Sequence, residues 1–166
     1  MFTEEKTESV TPLDVQVLMV CAFVLYLKFL GTTMIQGRRG FDAGTRVPED
    51  SNLPQAKDKP DQSFNFRLDH PDEVVRTAIH DELRWKRIVQ NDIEAIPLAL
   101  ILFLISISVG ANQNVNAGAL VMFTVMRVAH TVAYANKLPL LRMLTWVIGV
   151  LCIMAGGVNG VIAAVH

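Results

Sequence analysis

Three long stretches of this chain carry almost no charge: residues 13–35 (LDVQVLMVCAFVLYLKFLGTTMI), 95–126 (AIPLALILFLISISVGANQNVNAGALVMFTVM) and 143–165 (MLTWVIGVLCIMAGGVNGVIAAV). A helix crossing a bilayer core about 30 Å thick needs roughly 20 apolar residues, so each stretch is long enough to span. The middle stretch is too long for one crossing, and it contains GANQNVNAG, whose Gly and Asn residues favour a turn. Splitting it there predicts four spans, at about 12–36, 88–109, 117–135 and 140–164. The expectation is an all-α integral membrane four-helix bundle forming one domain over 1–166. Apolar residues make up 51% of the chain while 19% remain charged, so polarity is segregated along it rather than spread as in a soluble protein.

The charged residues set an orientation. The polar stretch 37–87 holds ten of the fifteen Lys and Arg, and the connection between the third and fourth spans adds Lys137 and Arg142. ANQNVN, between the second and third spans, has no charge, and the N-terminus is acidic. The positive-inside rule then puts the 37–87 loop in the cytosol and both termini outside or in a lumen. The N-terminal MFTEEKTESVTPLD lacks the basic n-region and cleavage site of a signal peptide, so the first span is expected to stay attached. Within the loop, GFDAGTRVPEDSNLPQAKDKPDQSFNF is rich in turn-forming residues. From Asp72 onward the chain reads as helix, started by HPD with Pro71 in the first turn.

Polar residues inside the spans fall on stripes. Arg87, Asn91 and Glu94 are spaced i, i+4, i+7, and in RVAHTVAY, Arg127, His130 and Tyr134 are spaced i, i+3, i+7, so each set shares a helix face. An ionisable residue in a span costs roughly 2.5–3.5 kcal/mol on insertion scales, and such residues normally pair inside the bundle. Arg127 and Glu94 are the expected pair. With Arg142, and Arg38 or Arg39 at the end of the first span, these residues lie toward the cytosolic half of the bundle. Guanidinium forks bind carboxylates in bidentate fashion. The set therefore describes a pocket for a small peptide-like zwitterion, with carboxylate and guanidinium groups from separate helices converging on it.

Other chemistries lack support. His130, His70, His80 and His166 have no close His or Cys partner at ligand spacing, so no metal is expected. Neither a phosphate-binding G-x-x-x-x-G-K-[ST] loop nor a G-x-S-x-G elbow occurs. Acidic residues interrupt the basic loop throughout, which argues against nucleic acid. Cys21 and Cys152 read as buried apolar thiols. Lys28, alone in the first span, reads as a snorkelling side chain, and AGGVNG at 155–160 reads as a small-residue face for close helix packing.

Three stretches carry a resemblance. VPED at 47–50 is similar to an N-P-E-D motif, ELRWKRIVQNDIE at 82–94 echoes ERxxRAHxNDxE, and RVAHTVAY at 127–134 is followed by KLPLLR at 137–142. In this order the chain resembles the MAPEG superfamily, the membrane-associated proteins of eicosanoid and glutathione metabolism, in the branch of microsomal glutathione transferase and microsomal prostaglandin E synthase. The resemblance implies a homotrimer in the endoplasmic reticulum (microsomal) membrane, with glutathione as co-substrate held at each subunit interface. Carried over by position, Arg38 or Arg39, Arg87, Asn91, Glu94, His130 and Tyr134 would bind glutathione, and Arg142 would act at the sulfur. Arg127 would brace Glu94 from behind. Asp50 and Gln90 are further candidates.

The departures favour a broad transferase over a dedicated isomerase. Ile88 and Val89 stand where the motif has Ala-His, and Gln90 stands where the prostaglandin synthase has an arginine. Met143 and Trp146 replace that enzyme's serine and tyrosine. The function implied is conjugation of glutathione to lipophilic electrophiles, or reduction of lipid hydroperoxides. The alternatives are a prostaglandin E synthase-type isomerase, with Asp50 handling a proton, and a non-enzymatic lipoxygenase-activating-type accessory protein.

Overall fold

The computed structural model describes residues 11–64 and 68–166. Its helices are α1 (Leu13–Ala43), α2 (Glu73–Ser108), α3 (Gln113–Ala135) and α4 (Pro139–Val165), with short 3-10 turns at Pro48–Asn52 and Pro54–Ala56 between the first two. No strand occurs among the described residues. All four helices are long and apolar enough to cross a membrane, so the chain forms the expected all-α four-helix membrane bundle. The acidic segment 1–10 and Arg67 lie outside the described residues.

The helices outrun the predicted spans, because backbone hydrogen bonding continues where hydrocarbon ends. α1 runs on through GRRGFDA and stops at Gly44, whose φ of 69° is left-handed. A Cβ there would meet the Asp61 carbonyl oxygen at 2.9 Å, so glycine is required twice over. α2 starts at Glu73, well before residue 88, and is capped by Asp72, whose side chain accepts from the Val74 N–H at 2.8 Å. Pro71 therefore precedes the cap instead of lying in the first turn. Asn112 caps α3 by accepting from the N–H groups of Asn114 and Val115, and Pro139 opens α4.

α1 packs along α2, and α3 along α4, with α2 also meeting α4. Leu25, Ile96, Ala99, Phe103, Leu120 and Phe123 form the shared core, joined by Cys21 and Cys152, which are free and buried as expected. Outward faces are apolar too: Met19, Phe23, Leu98 and Leu151 are all exposed. In lipid such faces need no cover, so close packing and internal hydrogen bonds must hold the helices together. The small-residue face supplies the packing. A Cβ at Gly156 would come within 2.8 Å of Phe103 Cδ1, and one at Gly160 within 3.0 Å of Ser106 Cα. Beside them, Ser106 Oγ and Asn159 Nδ2 each donate to Asn116 Oδ1 at 2.9 Å, tying α2, α3 and α4 at the end remote from residues 44–72.

Candidate functional site

Stripe geometry decides which polar residues enter the bundle. On α2 the buried positions Ile88, Asp92, Ile96, Ala99 and Phe103 recur at helical spacing, so Asp92 takes a core position that an apolar residue would otherwise fill. Its carboxylate meets two cations. Arg127 Nη2 on α3 donates to Asp92 Oδ1 at 2.5 Å, and Lys28 Nζ on α1 donates to Asp92 Oδ2. The triad pins three helices together inside the span.

The partner of Arg127 is Asp92 and not Glu94. Two residues along a helix is a rotation of roughly 200°, so Glu94 lies on the opposite face of α2. Glu94 is exposed and accepts from Gln90 Nε2 at 3.0 Å. Lys28 does not snorkel: its side chain is 9% exposed and turned inward to Asp92. Both residues of the missed pair sit on buried stripes that the apolar spacing already marks.

Five of the sequence-selected residues come together. Arg87 and Asn91 of α2, His130 and Tyr134 of α3 and Arg142 of α4 line one cavity of about 530 Å³, walled on its apolar side by Met143 and Trp146. Asn91 Nδ2 donates to the Arg87 carbonyl at 2.7 Å. The Arg142 guanidinium carbon lies 4.6 Å from the centre of the Tyr134 ring, a cation–π contact. His130 meets the same ring edge-on, at 5.9 Å between centroids.

His130 is 3% exposed, and its Nδ1 lies 3.1 Å from the Arg142 carbonyl oxygen. A carbonyl can only accept, so Nδ1 carries the proton, and in the neutral ring Nε2 is left as an acceptor. Nε2 is buried and has no hydrogen-bond partner among the described residues. Thr145, unmarked by the sequence reading, packs its Oγ1 3.4 Å from His130 Nδ1 while donating to the Leu141 carbonyl at 2.9 Å. It sits three residues beyond Arg142, on the turn that supplies the carbonyl. The cavity thus offers two guanidinium groups and an unpartnered imidazole nitrogen, with no carboxylate in its lining. It receives anions.

The remaining candidates lie elsewhere within one chain. Arg38 lines a separate cavity of about 730 Å³ at the end of α1, with Phe41, Arg46 and Lys59. Arg39 is exposed and lies 3.8 Å from Asp42. Asp50 accepts from Arg46 Nε at 2.5 Å at a third cavity. Gln90 and Glu94 pair on the outer face of α2. Of the guanidinium and carboxylate groups expected to converge on one pocket, only those of Arg87 and Arg142 do so within the chain.

The MAPEG family model matches residues 17–162, which takes in all of α2 and α3 and most of α1 and α4. No curated protein gives a significant match.

Proposed function

We propose that this chain, which belongs to the MAPEG family, is a membrane glutathione S-transferase with peroxidase capacity, acting on lipophilic electrophiles and lipid hydroperoxides. The observation that carries the reading is the single cavity lined by Arg87, Asn91, His130, Tyr134 and Arg142 from three helices. Its donor set fits glutathione. The Arg87 guanidinium suits a carboxylate of the tripeptide, the Arg142 guanidinium is left for the sulfur, and the unpartnered His130 Nε2 is an acceptor for one of its N–H groups. The volume of about 530 Å³ lies in the usual range for a small-molecule site.

Glutathione supplies the thiol that, once ionised, is the nucleophile. Arg87, Asn91, His130 and Tyr134 bind the peptide and fix where its sulfur lies. Arg142 stabilises the thiolate by its charge, and its stacking on Tyr134 holds the guanidinium still. Met143 and Trp146, exposed on α4 beside it, give an apolar approach for an electrophile dissolved in the membrane. Arg38 or Arg39, Gln90 and Glu94 would reach a glutathione site only from a neighbouring copy. The reading therefore includes a neighbouring copy, in the homotrimer that the family resemblance implies, placed in the endoplasmic reticulum membrane with the 37–87 loop cytosolic and the termini lumenal.

The test is direct. Glutathione added to the purified protein in detergent should produce the near-ultraviolet thiolate band, and an added aryl halide should be conjugated. Binding without the thiolate band would favour an accessory protein, and isomerisation of a prostaglandin endoperoxide without conjugation would favour the isomerase. Met143 and Trp146 argue against the latter, because neither offers a hydroxyl beside Arg142.

A further inference from the structure

Glu82 is the second acidic residue that α2 turns inward. It is 1% exposed, and Oε1 is satisfied by Gln36 Nε2 and Lys86 Nζ, each at 3.2 Å. Oε2 is buried and has no hydrogen-bond partner among the described residues. Leaving a buried carboxylate oxygen without a donor costs the full desolvation of that group, so Oε2 is an acceptor poised for a donor that enters beside it. Glu82 lines a cavity of about 320 Å³ with Gln36, Thr45, Arg46, Asp50 and Lys86. None of these residues lines the Arg142 cavity.

The lining defines the donor. Two carboxylates, Glu82 and Asp50, stand against two cations, Arg46 and Lys86, so the charges balance and a zwitterion suits the cavity better than a simple ion. No group of three His, Cys, Asp or Glu side chains that could hold a metal gathers among the described residues. Position narrows the source. Gln36 directly follows the apolar run that ends at Ile35, and on α2 Glu82 lies ten residues before Asp92, roughly 15 Å along the axis from the triad in the span. The cavity therefore opens at the level where lipid headgroups meet the bundle.

We infer that this cavity is a binding site for a primary-ammonium phosphate zwitterion, the phosphoethanolamine headgroup of a membrane phospholipid. The ammonium donates to Glu82 Oε2, and the phosphate meets Lys86 and the Arg46 guanidinium, whose Nε remains on Asp50. A trimethylammonium headgroup has no N–H to give and leaves Oε2 unsatisfied.

The experiment uses the full-length protein, delipidated in detergent and titrated by native mass spectrometry with phosphatidylethanolamine or phosphatidylcholine of identical acyl chains. Wild type should favour the ethanolamine lipid by about tenfold or more, the worth of one charge-assisted hydrogen bond. Glu82→Gln should bring the two lipids level, and Lys86→Gln should weaken the ethanolamine lipid while leaving the choline lipid weak. If Glu82→Gln fails to fold, a wild-type series of mono-, di- and trimethylated headgroups replaces it, with the main loss expected at the last methyl. Soluble glycerophosphoethanolamine is the second arm. Displacement of the lipid by it means that the headgroup alone is read, whereas lipid binding that resists it means that the chains contribute; both support the headgroup chemistry. Equal binding of the two lipids by wild type, or unchanged selectivity in Glu82→Gln, overturns it.

Discussion

Arg127 Nη2 sits 2.5 Å from Asp92 Oδ1, with the two side chains 4% and 0% exposed, while the acid two residues further on, Glu94, faces away from the bundle. One carboxylate thus neutralises part of two buried cations, Arg127 and Lys28, and binds α1, α2 and α3 together. Removing one member of a buried ion pair costs about 3–5 kcal/mol, because the charge left behind stays desolvated. Asp92→Ala should lose about that much stability, read as an earlier unfolding midpoint in a denaturing-detergent titration followed by circular dichroism. Glu94→Ala should stay within about 0.5 kcal/mol of wild type. A larger loss from Glu94→Ala than from Asp92→Ala would mean that the inward acid is misassigned.

The contact of α2 with α4 makes a second comparison. Gly156 has no room for a methyl group against Phe103, whereas the next residue, Gly157, has nothing within 4 Å of its would-be Cβ. Overpacking a tight contact costs about 1–3 kcal/mol, while alanine in an open helical position gains up to about 1 kcal/mol over glycine. Gly156→Ala should therefore unfold earlier in the same titration, and Gly157→Ala should unfold at the wild-type midpoint or later. Equal shifts in the same direction would refute the tight approach.

The four helices were legible because a bilayer imposes a length that few other folds require, and the charge-poor runs meet it. The small-residue face at Gly156 and Gly160 was legible for a related reason: in lipid, close backbone approach replaces the hydrophobic drive. The pairing of Arg127 was harder. Asp92 and Glu94 are two residues apart, and which one faces inward depends on how α2 is rotated about its axis. That rotation is fixed by Ile88, Ile96, Ala99 and Phe103, whose spacing includes Asp92. Polar residues read as a stripe of their own concealed it, and Lys28 was lost with it. The Arg87, Asn91, His130, Tyr134 and Arg142 set was recoverable because Arg87 and Asn91 share one face of α2 by their i, i+4 spacing, and His130, Tyr134 and Arg142 flank the short turn between α3 and α4. Arg38 and Asp50 stand apart from that set, since α1 ends against its own 44–64 loop. That loop is pinned by Gln62, which donates to the Phe41 and Pro60 carbonyls at 3.2 and 2.7 Å.

For Arg142 the proposed role is electrostatic, so its loss should separate binding from chemistry. A free thiol ionises near pKa 8.5, and a neighbouring arginine lowers that value by stabilising the anion. Arg142→Ala should raise the pKa of bound glutathione, moving the pH midpoint of the thiolate band upward. Once that midpoint lies above the working pH, each further unit of rise removes roughly tenfold of the thiolate. Turnover should fall accordingly, and glutathione affinity should change little. Unchanged turnover at saturating glutathione would rule the assignment out.

Tyr134 has two separable parts. Its ring carries Arg142 at 4.6 Å and meets His130 edge-on, and neither contact uses the hydroxyl. Tyr134→Phe keeps both, so stability should stay within about 0.5 kcal/mol of wild type, and the pH midpoint of the thiolate band should not move. If the hydroxyl binds the peptide, its removal forfeits one hydrogen bond, about 1 kcal/mol or roughly fivefold in glutathione affinity. Tyr134→Leu removes the aromatic face as well. Arg142 then loses the surface that holds it, and the thiolate midpoint should rise toward that of Arg142→Ala. Isothermal titration gives the affinities and the absorbance titration gives the midpoints. A midpoint shift in Tyr134→Phe equal to that in Tyr134→Leu would assign the effect to the hydroxyl and refute the stacking argument.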